Sequence, residues 1–204
     1  MRESPRIRRL RTDLKSLDRL REESTIFDFR ADGDPPESYL ITFRGTGLYR
    51  PRDSARIAVR DIHEVLIRLG ASYPRVMPEM EWRTPIFHPN ISGSGVICLG
   101  GYGTYWVPSL NLDELCDMLW DMVRFQNFDP ASPYNREAAH WIEVQREYEL
   151  PVDPRPIRDR LSTCDTDALV PEPENEILFI DESIADVVDT ELVDPEDPDL
   201  LIID

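Results

Sequence analysis

The stretch PIFHPNISGSGVICLGGYGTYWVPSL, residues 85–110, decides how the rest of the chain is interpreted. Its Pro and Gly residues favour turns over regular structure. It is nevertheless rich in apolar side chains, namely Ile86, Phe87, Ile91, Val96, Ile97, Leu99, Tyr105 and Trp106. A long loop with such side chains must pack onto a core, and loops of this kind often carry function. We therefore expect a functional site here.

Upstream of this loop, alternating apolar side chains predict strands. They occur around 27–29, 39–43 and 65–69, and a fourth short strand is expected over 79–84. Turn-forming residues separate these strands, which favours an antiparallel meander. A helix is predicted before them, with Ser4 as the N-cap, Pro5 in the first position and an apolar stripe at Ile7, Leu10, Leu14, Leu17 and Leu20.

Two further helices are predicted after the loop. The first starts at Asn111, and the second starts near Asn135 and continues to Pro151. The predicted fold class is α+β: an N-terminal helix, a four-stranded antiparallel meander sheet, a long active-site loop and C-terminal helices. We expect a folded domain over 1–150, a linker over 151–164 and an acidic, mostly disordered tail over 165–204.

Short motifs in and around the loop resemble the catalytic stretch of ubiquitin-conjugating enzymes. They are Tyr73-Pro74, Pro78, His88-Pro89-Asn90-Ile91, Gly95, Ile97-Cys98-Leu99, Trp106-Val107-Pro108 and Leu110. The spacings from Tyr73 to Trp106 fit that family without a gap, and the segment 135–139 resembles the start of its next helix. The resemblance covers roughly residues 1–150 and implies the ubiquitin-conjugating fold.

The resemblance also implies roles. Cys98 would accept a ubiquitin-like protein as a thioester from an activating enzyme and transfer it to an amine of a target protein. Asn90 would steady the loop and donate to the oxyanion. The supporting residues are His88 and Pro89, which would shape the turn, and Trp106, which would anchor the loop. The partner-binding residues would include Arg6 and Arg9 on the first helix, facing the activating enzyme, and Pro108 on a ligase surface.

Three positions depart from the family pattern. The gate beside the cysteine, usually Asp or Ser before Pro, corresponds to Ser132 if two extra residues follow the second helix, and Asp129 is the rival. Gly100 stands where the family often has an acid. Arg75 replaces the apolar residue that contacts RING-type ligases, which puts ordinary RING recruitment in doubt.

The cysteine chemistry itself favours an acyl carrier. A thiolate accepts acyl groups and releases them to amines. The sequence provides no evident Cys–His pair, which counts against a papain-like hydrolase. The other two cysteines, Cys116 on an apolar helix face and Cys164 at the tail boundary, are expected to be non-catalytic. A non-catalytic variant that only binds the modifier remains an alternative, as does a thiol hydrolase of conjugates.

Charge is concentrated at the C-terminal end. The chain carries −17, of which −15 belongs to residues 165–204, so nucleic acid is not expected as a partner. No apolar run is long enough for a membrane span, no signal peptide is evident, and three unpaired cysteines favour the cytoplasm. We expect no metal and no cofactor.

The tail joins apolar clusters to acids, as at Ile177, Phe179 and Ile180. Such segments resemble short motifs that bind ubiquitin-like modifiers by adding a strand to a sheet edge. Contact with the protein's own surface, or no role, is an equal alternative. The motif hypothesis would fail if deleting 165–204 left affinity for modifier and activating enzyme unchanged.

The basic residues comprise 22 Arg and a single Lys, Lys15. Together with the divergent loops, this composition resembles bacterial members of the family encoded in antiviral operons. That resemblance implies an activating enzyme, a ubiquitin-like protein and a metalloprotease from the same operon as partners. Codon bias in a GC-rich genome is the favoured explanation of the scarcity of lysine, and the alternative is that a lysine-modifying enzyme avoids lysine near its own site.

Overall fold

The computed structural model describes residues 3–100 and 106–162. Helix α1, Pro5–Glu22, begins as predicted: the Ser4 hydroxyl accepts a hydrogen bond from the Ile7 N–H at 3.2 Å, and Pro5 occupies the first turn. Its buried stripe includes Leu10, Leu17 and Leu20, each fully covered by the sheet and the following helices. The helix thus packs one apolar face on the core and leaves its basic residues at the edges.

Four strands form one antiparallel sheet in the order β1-β2-β3-β4, which confirms the predicted meander. Their bounds are Phe27–Gly33, Pro36–Tyr49, Ala58–Arg68 and Glu79–Trp82. One register row crosses the whole sheet through Phe29, Ile41, Val65 and Trp82. All four of those side chains are buried, because strand side chains alternate between faces and this row faces the helices.

The loop after β4 is tied back to that strand. The Trp82 N–H donates to the Gly95 carbonyl at 2.8 Å, and Val96 bridges to Glu81. Gly95 has a φ of +85°, and a Cβ there would lie 2.3 Å from the Trp82 carbonyl oxygen. Only glycine fits this close approach, so the position of the segment leading to Cys98 is fixed by the edge of the sheet.

Helix α2, Leu112–Val123, begins after Asn111 as predicted, and its apolar stripe is buried against α1 and the sheet. Helix α3, Arg136–Val144, also begins where it was predicted, and the Asn135 side chain caps it by accepting from the Ala138 N–H at 3.1 Å. Its predicted end at Pro151 is wrong. The Gln145 side chain bonds both the N–H and the carbonyl of Tyr148, which closes a turn instead of a further helical turn.

Residues 151–162 pack on the domain, although the sequence suggested a linker. Ile157 is 1% exposed, and the Trp120 indole N–H donates to the Arg155 carbonyl at 2.9 Å. A short helix α4, Asp159–Ser162, follows. The described chain therefore continues past residue 150 as part of the core. Within residues 3–100 and 106–162, no helix is both long and apolar enough to cross a membrane.

Candidate active site

Cys98 lies at the end of the segment that Gly95 ties to the sheet. Its backbone N–H donates to the Asn90 carbonyl at 2.8 Å, and its side chain is half-buried. The thiol borders a cleft of about 320 Å³ whose walls combine apolar and polar side chains: Asn90, Leu99, Gly100, Met118, Met122, Asn127, Phe128, Asp129 and Ser132. The structure thus brings together the three residues predicted as catalytic, Cys98, Asn90 and Ser132.

Beneath the cysteine lie His88, Pro89 and Asn90, which we call the floor of the site. All three are buried, and His88 is completely so. The His88 Nδ1 accepts the Asn90 N–H at 3.0 Å, so that nitrogen carries no proton. Burial lowers the pKa of His88 to about 3. The ring is a neutral turn-shaping group and does not serve as a base for Cys98.

The Asn90 side chain ties the floor to the loop that follows α2. Its Oδ1 accepts the Asp129 N–H at 2.7 Å, and its Nδ2 donates to the carbonyls of Asp129 at 2.9 Å and Ser132 at 3.4 Å. The acceptor bond fixes which end of the amide is oxygen. Both Nδ2 hydrogens are therefore engaged, and a bond to an oxyanion requires release of the longer contact to Ser132.

We call Asp129 and Ser132 the rim of the site, because both residues are exposed and border the cleft. Ser132 and its rival Asp129 both line the cleft. The Asp129 carboxylate accepts the Ala131 N–H at 2.8 Å, which stiffens the loop. The Ser132 hydroxyl makes no hydrogen bond within the described part of the chain, so it is available to an incoming group.

Tyr134 was missed by the sequence reasoning. Its N–H donates to the Pro89 carbonyl at 2.9 Å, next to the Asn90 carbonyl that accepts the Cys98 N–H, and interaction with the charge of Cys98 raises the pKa of the exposed phenol. Because these residues are 36 positions apart in the chain, helical and strand periodicity gave no sign of their proximity. The available signal was the place of Tyr134 directly after the Ser132-Pro133 pair already assigned to the gate.

The two arginines predicted to bind a partner through α1 are turned toward the protein. Arg9 donates to the carboxylate of Asp13 and to the carbonyls of Pro108 and Leu110. Asp13 is fully buried and also accepts the Tyr73 hydroxyl at 2.8 Å. Arg9 is therefore part of a buried polar cluster that ties α1 to the loop after the active site, and its guanidinium is not free for docking.

Arg6 is also engaged. Its guanidinium pairs with Glu37 at 2.6 Å and donates to the carbonyls of Leu69 and Gly70. Five basic residues of α1 are exposed, and four of them share one stripe, at Arg8, Arg11, Lys15 and Arg19, while Arg21 lies off it. Arg6 and Arg9 were wrongly predicted to face a partner because a long arginine side chain can reach distant backbone carbonyls. Sequence periodicity does not indicate where those carbonyls lie.

Trp106 and Pro108 lie on the other side of the loop. The Trp106 indole N–H donates to the Pro74 carbonyl at 2.6 Å, and its ring lies 6.5 Å from that of Tyr73. This contact joins the two segments that the resemblance predicts to form a ligase-binding surface. Pro108 is exposed, Val107 is 53% exposed, and Arg75 is exposed beside Val76 at 58%. The surface keeps apolar character despite Arg75.

Several sequence predictions fall elsewhere. Cys116 is completely buried, and burial raises the pKa of its thiol well above the usual value. Cys164 and the tail residues Ile177, Phe179 and Ile180 lie outside the described residues. Within residues 3–100 and 106–162, no three His, Cys, Asp or Glu side chains are grouped as metal ligands.

Comparisons with known proteins agree on one family. A family model described as ubiquitin-conjugating enzyme matches residues 60–153. The Nedd8-conjugating enzyme UbcE2M of Drosophila melanogaster is 33% identical over 79 residues, which is 39% of this chain. The chain spans 42% of the length of that curated relative. The solved structure of S. cerevisiae Ubc12 shares the fold, with a TM-score of 0.55 at 22% identity, over 71% of this chain and 72% of that one.

Proposed function

Because the chain belongs to the ubiquitin-conjugating enzyme family, we propose that it carries a ubiquitin-like protein as a thioester on Cys98. The modifier is received from an activating enzyme and passed to an amine of a target protein. The site residues of this proposal are Cys98 as the nucleophile, Asn90 as the organiser of the loop and Ser132 as the gate.

One observation carries the proposal: a half-buried thiol borders an open cleft that has no histidine base. The cleft has an apolar wall at Met118, Met122 and Phe128 and a polar rim opposite. An extended chain terminus can lie along such a surface, with its carbonyl at the sulfur. In the described part of the chain, no hydrogen bond joins a histidine to Cys98, which disfavours a hydrolase that activates water or sulfur with imidazole.

The proposed chemistry is acyl transfer in two steps. The Cys98 thiolate attacks the modifier's activated carbonyl and displaces the sulfur of the activating enzyme. In the second step an amine nitrogen attacks the thioester carbonyl, the carbon–sulfur bond breaks, and the amine's proton ends on the departing thiolate. Asn90 holds the 129–132 loop in place for both steps, and its longer bond to the Ser132 carbonyl is the one it can exchange for the oxyanion.

The proposed surface for the activating enzyme is the exposed stripe of α1, which includes Arg8, Arg11, Lys15 and Arg19. Arg11 and Arg19 are ion-paired with Glu3 and Glu23, whereas Arg8 and Lys15 carry charge without such a partner in the described part of the chain. Positive charge on one helix face attracts an acidic partner and accelerates association at low salt. Arg6 and Arg9 contribute indirectly, since they fix the helix on the domain. The exposed Pro108 and Val107 remain the proposed ligase surface.

A charging assay tests the proposal. The protein is mixed with an activating enzyme, its ubiquitin-like protein and ATP, and the products are separated with and without thiol reductant. We expect a reductant-sensitive adduct in the native chain, none in Cys98→Ala, and a reductant-resistant ester in Cys98→Ser. Cys164→Ser is the matched control and should charge normally, and Arg8→Glu with Arg11→Glu should slow charging.

Absence of any adduct with an activating enzyme that is itself charged would reject the carrier role. The binding-only alternative would then require that Cys98→Ala retain the native affinity for the modifier. Ubiquitin and Nedd8, each with its own activating enzyme, are suitable first modifiers, because the fly relative is named for Nedd8.

We further propose that the chain acts in the cytoplasm of a bacterium, within an antiviral operon that also encodes the activating enzyme, the modifier and a metalloprotease. The ratio of 22 Arg to one Lys supports the bacterial context, because it resembles the composition of bacterial members of the family. A carrier poor in lysine also offers few amines for self-modification. Sequencing the neighbouring genes tests the context, and the absence of an activating-enzyme gene beside this one would overturn it.

A further inference from the structure

Phe125 ends helix α2 in a left-handed backbone conformation, with a φ of 60°. The Gln126 N–H donates to the Asp121 carbonyl at 2.9 Å, and the Phe125 N–H donates to the Met122 carbonyl at 3.1 Å. These two bonds form a Schellman turn, whose left-handed position is usually glycine. In the part of the chain that the structure describes, no other residue except glycine has a positive φ. A side chain is disfavoured there by its Cβ, so another contact must hold the turn.

The Phe125 ring provides that contact. The residue is 2% exposed, and its ring centroid lies 4.9 Å from that of His88 and 5.9 Å from that of Phe128. His88 belongs to the floor of the site, whereas Phe128 lines the cleft. Buried aromatic pairs at such distances are favourable. The ring therefore joins the floor to the start of the loop 126–132, apart from the bonds that the Asn90 amide makes further along that loop.

We propose that Phe125 is a positioning residue for the rim. Its left-handed backbone turns the chain from α2 toward the floor, and its ring holds the turn against His88. It acts through Asn90, because the Asp129 N–H reaches the Asn90 Oδ1 only when the start of the loop lies at the floor. Phe125 is buried and does not border the cleft itself. Its effect on transfer to an amine rests on the proposed carrier function.

The connection from Phe125 to the rim is short. Three residues separate Phe125 from Asp129, and the first two of them, Gln126 and Asn127, both donate their N–H groups to the Asp121 carbonyl. A shift of the turn is therefore transmitted to the rim. A displacement of about 1 Å at a reacting site can slow a reaction by about 10²-fold. Because loss of the ring leaves the Asn90 side chain in place, we expect transfer to slow by about five- to twentyfold.

Three substitutions separate the ring from the backbone. Phe125→Leu and Phe125→Ala lose the ring and keep a Cβ at the left-handed position, whereas Phe125→Gly loses both the ring and the strain. The unfolding constant of the glycine variant should be about fivefold lower than that of the alanine variant. Phe27→Leu is the matched control, since Phe27 in β1 is 3% exposed and its ring contacts those of Phe29 and Phe43.

The first experiment measures hydrogen exchange of the Asp129 N–H by NMR in the full chain and needs no modifier. We expect exchange to be about three- to tenfold faster in all three Phe125 variants, because each lacks the ring contact that holds the loop. Phe27→Leu should exchange at the native rate at this position. The glycine variant should exchange as fast as the alanine variant, although it is the more stable of the two.

Two results would overturn the proposal. If exchange at Asp129 followed global stability, so that Phe27→Leu was accelerated equally or Phe125→Gly was better protected than Phe125→Ala, Phe125 would be only a core residue. If Phe125→Gly was no more stable than Phe125→Ala, the left-handed turn would carry no strain for the ring to offset. Urea unfolding of each variant gives the stabilities for both comparisons.

The second experiment measures single-turnover discharge of the charged thioester to free lysine. Phe125→Leu should discharge about five- to twentyfold more slowly, and Phe27→Leu at the native rate. Phe125→Gly should be as slow as Phe125→Ala despite its greater stability. If the chain charges and the Phe125 variants discharge normally, the role in transfer is wrong. If even the native chain does not charge, the carrier function has failed, and the exchange of the Asp129 N–H alone decides whether Phe125 positions the rim.

Discussion

The floor and the rim of the site are built in opposite ways. His88, Pro89 and Asn90 are buried, and His88 Nδ1 and the Asn90 amide are hydrogen-bonded to backbone groups. Asp129 and Ser132 are exposed and line the cleft. The half-buried Cys98 lies between the two. The difference indicates that the floor determines where the sulfur lies, and that the rim determines what approaches it.

Asn90→Ala should show the largest effect, because it removes three hydrogen bonds and leaves two carbonyls and one N–H of the 129–132 loop without their partner. At about 1 kcal/mol for each bond, unfolding should become easier by about 2–4 kcal/mol, and transfer should slow by about 10²-fold. Urea unfolding and single-turnover discharge measure the two quantities.

Asn127→Ala is the matched control for that experiment, since Asn127 lines the same cleft but is exposed. We expect less than about 0.5 kcal/mol from it. Equal losses in the two variants would contradict the division into floor and rim.

Acid should lower the free energy of unfolding, because His88 in the floor and His63 in β3 are buried. Burial lowers the pKa of His88 to about 3 and that of His63, in β3, to about 4, against an ordinary value of 6.5. Below pH 6.5 the unfolded chain therefore binds protons that the folded chain does not. The free energy of unfolding should fall as the pH drops from 7 to 5, by about 2 kcal/mol for each histidine.

Urea unfolding at pH 7, 6 and 5 tests this expectation. His63→Phe should lose about half of the histidine-dependent fall. Comparison of each variant with the native chain cancels the titration of the carboxylates. A native-like fall in His63→Phe would show that this histidine is not held neutral.

The rim should give the smallest effects. Ser132→Ala removes a hydroxyl but leaves the carbonyl that Asn90 uses, so stability should change by less than about 0.5 kcal/mol. Discharge to lysine should slow only about two- to fivefold, as expected for one exposed hydrogen bond. Asp129→Asn is the companion variant, because it removes the charge and can keep the acceptor for the Ala131 N–H.

Comparison of Ser132→Ala with Asp129→Asn also tests which of the two residues is the gate. If Asp129→Asn slows discharge more than Ser132→Ala, the gate is Asp129. If Ser132→Ala and Asp129→Asn together slowed discharge as much as Asn90→Ala does, the division into floor and rim would be contradicted.

Sequence alone determined the elements that depend on neighbouring residues. The Ser4 cap and the starts of α2 and α3 after Asn111 and Asn135 are local features, and each is present where it was predicted. The meander followed from strands close together in the chain, and the motif around Cys98 pointed to the family whose model matches residues 60–153. These features could be read from sequence because capping and periodicity act over only a few residues.

Tertiary structure decided the rest, because it depends on side chains reaching distant parts of the chain. Arg9 is occupied by carbonyls about 100 residues away, which removed it from the predicted docking surface. Gln145 closes a turn on Tyr148 and ends α3 before Pro151. The backbones of Tyr134 and Cys98 come close only because both donate to carbonyls of the buried segment 88–90. Such contacts follow from packing, for which sequence periodicity carries no signal.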